Sequence, residues 1–111
     1  MRRASLLCIV GLVVPLMAGA RTIRVPKDHP HIGTALIIAA PYDTILVAPG
    51  TYIENIVWPS KAGIKLLGEM GPDSTVLDGD GRASVIGIYT GVDTATVISG
   101  FTIRDGYAEG T

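Results

Sequence analysis

The run Asp43-Thr44-Ile45-Leu46-Val47-Ala48-Pro49-Gly50-Thr51-Tyr52, followed by Glu54-Asn55-Ile56, decides how this chain folds. Alternation of apolar residues at Ile45 and Val47, and again at Ile53 and Ile56, directs one side of each short segment inward. Pro49 and Gly50 between them suit positions i+1 and i+2 of a type II turn: proline presets φ, and glycine accepts a positive one. Two brief strands meeting at a tight corner are thus expected, each too short to pack alone.

Outward from this run the same grammar continues. Apolar clusters occur at 23–25, 45–47, 56–58, 64–67, 76–77, 85–88, 97–98 and 101–103, and Gly, Pro, Asp and Asn punctuate the gaps between them. From residue 21 onward there are 12 Ile, 7 Val and 10 Thr, side chains whose branched Cβ favours extended backbone. One segment has another period: Ile32, Ala35, Leu36 and Ala39 fall on one helical face, Pro30 stands near its start and Pro41 ends it. A single short amphipathic helix is expected over 32–40.

The clusters also recur at a distance. Residues 45–47 correspond to 75–77 at an offset of about 30, 56–58 to 86–88 at the same offset, and 64–67 to 96–99 at about 32. Three short strands per repeat suit a parallel β-helix, in which each coil hydrogen-bonds to the coils above and below. Antiparallel hairpins compete with this reading. Asp78-Gly79, Asp80-Gly81 and Asp105-Gly106 are hairpin turn signals, although the flanking strands are short and evenly spaced.

The 48% hydrophobic content of the 111 residues is partly that of a leader. Arg2 and Arg3 precede an apolar stretch at 6–17, too short for the roughly 20 residues of a membrane span, and Ala18-Gly19-Ala20 offers small residues for cleavage. Residues 1–20 are therefore read as a secretory signal peptide and 21–111 as the mature chain, with no stable membrane span after cleavage. The mature chain loses the sole cysteine, Cys8, and carries seven Lys/Arg against ten Asp/Glu, a net charge of −3. Such a balance excludes a disulfide scaffold and gives no electrostatic footprint for nucleic acid. The expected location is periplasmic or secreted, more on the extracellular side.

Taken in order, Thr22-Ile23-Arg24-Val25-Pro26, the helix beginning His31-Ile32-Gly33-Thr34-Ala35-Leu36, the run from Asp43 to Ile56, and the later Ser99-Gly100-Phe101-Thr102-Ile103 resemble the N-terminal region of right-handed parallel β-helix proteins of the pectin-lyase-like superfamily. The resemblance implies an all-β fold with an N-terminal capping helix and about two coils. It further implies a chain truncated at its C-terminus, since a solenoid needs about three repeats and a second cap. In pectin methylesterases and polysaccharide lyases of that group the catalytic residues lie on later coils, so none carries over. His31 departs from the pattern, standing where a small hydroxyl residue commonly caps the helix.

Candidate chemistry is sparse. Asp78 and Asp80, with Asp73 nearby, offer hard oxygens for calcium, yet two carboxylates without a bidentate partner read first as a solvated turn. Asp28, His29 and His31 hint at a metal, but Pro30 and the helix start favour surface and capping roles. Glu54 and Asn55 read as a solvent-facing acid and an amide satisfying turn backbone. Tyr52, Trp58 and Tyr89, with Tyr107, are candidates for stacking on sugar rings. No catalytic residue and no cofactor are expected. Two functions stay open: an exported scaffold or surface protein that binds polysaccharide or cell-surface glycan without catalysis, and the N-terminal scaffold of a carbohydrate-active enzyme whose catalytic residues lie beyond this chain.

Overall fold

The computed structural model describes residues 20–108; the predicted signal peptide, apart from Ala20, lies outside the described residues. Among the described residues, nine strands and one helix follow in the order β1 (Thr22–Val25), α1 (Ile32–Ile38), β2 (Thr44–Val47), β3 (Gly50–Ile53), β4 (Ile56–Val57), β5 (Lys65–Gly68), β6 (Thr75–Asp78), β7 (Ile86–Gly87), β8 (Val97–Ser99) and β9 (Thr102–Arg104). Every strand pairing is parallel. The strands form three narrow sheets, ordered β1-β2-β5-β8, β3-β6-β9 and β4-β7. The architecture is a parallel β-solenoid of about three turns, which excludes the hairpin alternative.

The core is built as columns. Ile23 lies against Ile45, Ile45 against Leu66 and Leu66 against Ile98 along the first sheet, with Val25 beside Val47 one step on. Ile23, Val25, Ile45, Val47 and Leu66 are all buried. Alternation puts their neighbours Arg24 and Leu46 on the other face, as the period of two requires. Fully burying each such aliphatic side chain contributes about 1.5–3 kcal/mol. Ile56 pairs with Ile86 at the expected offset, and 65–67 pairs with 97–99 at the expected 32.

Several expectations need correcting. Residues 45–47 do not pair with 75–77: Ile45 aligns with Leu66, and Thr75 aligns with Gly50. The repeat is 21 residues from β2 to β5 and 32 from β5 to β8, where the corners at 69–74 and 79–85 are longer, so an offset of 30 from β2 overshoots β5 and lands on β6. Ile53 points outward, because Tyr52 is the β3 residue that aligns with buried Leu77 and the corner at Glu54 and Asn55 resets the alternation. Gly50 does take a positive φ of 151°, but it opens β3 and its amide donates to the Ser74 carbonyl of the next coil rather than closing a local turn. The solenoid also reaches about three turns instead of two, since β1 supplies a first rung and β8 and β9 begin a third.

One corner shows why glycine recurs. A Cβ on Gly68 would lie 2.1 Å from the carbonyl oxygen of Gly100, which has a φ of 88°. Stacked corners approach backbone to backbone there, so neither position has room for a side chain.

The helix covers the first coil with Ile32, Ala35 and Leu36 buried beneath it. It ends at Ile38, short of the expected Ala40, because Ala39 is already extended and the Ala40 amide donates to Asp43. Seven residues form too short a helix to be stable alone. Its ends are held from elsewhere in the chain, as the next section describes.

Candidate functional site

The acids and aromatics singled out by sequence separate into two groups: those that hold the solenoid together and those that face solvent at one flank. Glu54 belongs to the first. Its two carboxylate oxygens accept the amides of Ile32 and Gly33, each at 2.9 Å, so it caps α1 from 22 positions away while the N-cap residue His31 makes no side-chain cap bond. The acid was expected to face water. Its side chain is only 14% exposed, because a negative oxygen placed among the orphan amides of a helix start is electrostatically favoured over one in solvent. His31 Nδ1 stands 3.8 Å from Glu54 Oε2, outside hydrogen-bonding range.

At the other end of α1, the Lys61 ammonium donates to the carbonyls of Leu36, Ile37 and Ala39. Asp43, fully buried, accepts the amides of Arg21 and Ala40 together with Arg21 Nε. Burial pushes the Asp43 carboxyl up, but the Ala40 and Arg21 amides and the Arg21 guanidinium outweigh it and hold it below the ordinary carboxylate range. Asn55 does what its position suggested: its amide donates to the carbonyls of Gly79, Ala83 and Ser84, fixing the corner beneath β7.

The calcium candidates are engaged in ion pairs. Asp78 Oδ1 accepts the Asp80 amide at 2.8 Å and Oδ2 accepts Arg104 Nε at 3.1 Å, while Asp80 pairs with Arg82 at 2.9 Å. The Asp80 amide lowers the Asp78 carboxyl most, and with the Arg104 guanidinium it outweighs the opposing effect of desolvation. Asp28 accepts the Arg24 amide, with His29 half-buried and His31 exposed. Among the described residues no three His, Cys, Asp or Glu side chains come together as a metal site, and no helix is long and apolar enough to cross a membrane.

The aromatics divide likewise. Trp58 is 3% exposed and belongs to the core, its indole Nε1 without a hydrogen-bond partner, so it presents no ring face to a ligand. Tyr52 is half-buried, its hydroxyl donating to the Ala48 carbonyl at 2.8 Å. Burial, reinforced by the nearby Glu54 charge, raises its phenol. Tyr89 and Tyr107 are different: they are 77% and 52% exposed. Both line a cleft of about 430 Å³ on the flank of the β4-β7 sheet, whose other walls include Asn55, Val57, Arg82 and Ser84.

Local structure shapes this cleft. The Tyr89 ring lies against Gly87: a Cβ on that glycine would come within 2.7 Å of the phenol oxygen and 2.9 Å of a ring carbon. The Tyr107 amide donates to the Ala83 carbonyl at 2.9 Å, tying the chain after β9 to the corner that Asn55 holds. A second cleft, of about 460 Å³, adjoins on the far side and shares Ser84 and Tyr107. Sequence reading named both tyrosines but could not assemble the cleft, because it depends on the 30-residue offset between β4 and β7 and on a corner held through Asn55.

No protein-family model, curated protein or solved structure matches this chain.

Proposed function

We propose that the chain is an exported β-solenoid scaffold that binds polysaccharide or cell-surface glycan along its flank and performs no catalysis of its own. The observation that carries this reading is the cleft beside β4 and β7, where two largely exposed tyrosines stand among polar side chains. Binding sites for small ligands typically combine apolar or aromatic surface with a few placed polar groups, and tyrosine supplies both. The non-catalytic reading is supported by the fate of the acids: Asp43, Glu54 and Asp78 are committed to backbone amides and arginines rather than directed toward a common point. A pectin-lyase-like ancestry, a right-handed coil and an extracellular destination belong to the same proposal, supported by the order of motifs and by the leader-like composition of residues 1–20.

The test is retention of the full chain, produced in an exporting host, on a panel of immobilised neutral and acidic polysaccharides. Retention on at least one polymer, lost in the Tyr89→Ala/Tyr107→Ala double variant, is expected. Passage through every column, or retention indifferent to the two substitutions, would contradict the proposal.

A further inference from the structure

We infer that the cleft between Tyr89 and Tyr107 is a subsite for neutral, equatorially substituted pyranose units, with Gly87 as the residue that seats the Tyr89 ring. This inference rests on the glycan-binding reading above and narrows it to a site and a ligand charge.

The first argument is geometric. One side of the Tyr89 ring rests against the backbone at Gly87, where any Cβ would collide with it, yet the residue is 77% exposed. An aromatic side chain laid on backbone with its other side open loses little conformational freedom when a flat ligand covers it. Equatorially substituted pyranoses carry their axial C–H groups on the ring faces and their hydroxyls around the rim. Such a sugar can place a face on tyrosine and its rim hydroxyls near Ser84 and the phenol oxygens. The cleft of about 430 Å³ has room for one or two such units.

The second argument is electrostatic. Among the described residues, Arg82 is the only charged side chain lining the cleft, and Asp80 pairs with it at 2.9 Å. The neighbouring corner adds Asp78 and Asp105 around Arg104. From residue 21 onward the chain bears a net charge of −3. A uronate polymer would therefore approach a like-charged flank whose nearest cation is already neutralised, whereas a neutral sugar meets no such barrier.

Calorimetric titration of the exported full chain with neutral β-1,4-linked gluco- and xylohexaoses, and with hexagalacturonate, at low and high salt tests this. At least one neutral hexaose should bind with an affinity that salt leaves unchanged. Tyr89→Ala, Tyr107→Ala and Gly87→Ala should each weaken it by about tenfold or more, and Tyr89→Phe should largely restore it. Circular dichroism of each variant identifies any that fail to fold, and Tyr89→Phe, which removes only a hydroxyl, keeps the stacking claim open to test. Tighter binding of hexagalacturonate, weakened by salt, would overturn the neutral-ligand inference while leaving glycan binding intact. Retention on polysaccharide columns without response to the tyrosine or glycine variants would overturn the site, and absence of all binding would overturn both.

Discussion

At the scale of single residues, the acids of this chain are structural, and their roles have measurable signs. Asp43 is the most consequential. Its folded-state carboxyl titrates below the ordinary aspartate range, so the unfolded chain takes up the proton first as pH falls. The stability it contributes is complete at neutral pH, begins to fall near about pH 4 and is lost once the folded-state value is passed. Asp43→Asn places an amide where Oδ2 accepts two donors or Oδ1 accepts one, leaving at least one buried donor unmatched. It should lower stability by about 2–3 kcal/mol at neutral pH and flatten the acid limb of a pH-dependent thermal-melting profile. Trp58 yields an optical prediction: as the sole tryptophan and a buried one, its emission should be blue-shifted, inaccessible to acrylamide and unmoved by any bound sugar. A sugar-induced shift would return it to the ligand site. Neither role was legible beforehand. Asp43 opens the deciding motif, but what makes it necessary is Arg21 and Ala40 converging on it, and a lone tryptophan reads equally well as core or as a sugar platform.

Among the elements, α1 is the one whose existence depends most on distant residues. Its amphipathic period was evident in the sequence, whereas its stop at Ile38, ahead of Pro41, and its capping were not. Glu54 at its start and Lys61 at its end lie on the far side of the first coil, and no local capping pattern announces a partner 22 or more residues away. His31, in the place where a capping hydroxyl is expected, was the one available signal. It marks a cap that has to be supplied from outside the helix. Glu54→Ala should destabilise the protein by about 1–2 kcal/mol, a fall in Tm of roughly 4–8 °C for each kcal/mol in a domain of this size. Glu54→Gln keeps one acceptor but turns an amino group toward the second amide, so its Tm should fall between wild type and alanine. Equal Tm values for all three would remove the capping role. The sheet corners make a second prediction at this scale. Gly100→Ala places a Cβ in a left-handed conformation near the backbone of Gly68, so urea unfolding should show a clear loss in midpoint, larger than for Ala at Gly71, where nothing lies within 4 Å.

For the whole molecule, the solenoid was readable because strand length, β-branched composition and Gly/Pro corners agree with one another, and two of the three strand offsets identified true neighbours. The third failed because the coil from β2 to β5 is only 21 residues long, whereas the next, with longer corners at 69–74 and 79–85, is 32, and the apolar pattern is the same in both. A repeating core tolerates such insertions, since each coil is held by its register with the next and not by a fixed period. The same property explains why the flank cleft was invisible in sequence: Asn55, Arg82, Tyr89 and Tyr107 meet only once β4 and β7 are in register. That register is the physical basis of both fold and site, and a NOESY spectrum of the isotopically labelled, exported protein tests it most directly. Parallel stacking predicts cross-strand contacts linking Ile23, Ile45, Leu66 and Ile98 in one column and Ile56 with Ile86 in another. Antiparallel contacts between strands adjacent in sequence, such as β6 with β7 across residues 79–85, would contradict the solenoid and the cleft built on it.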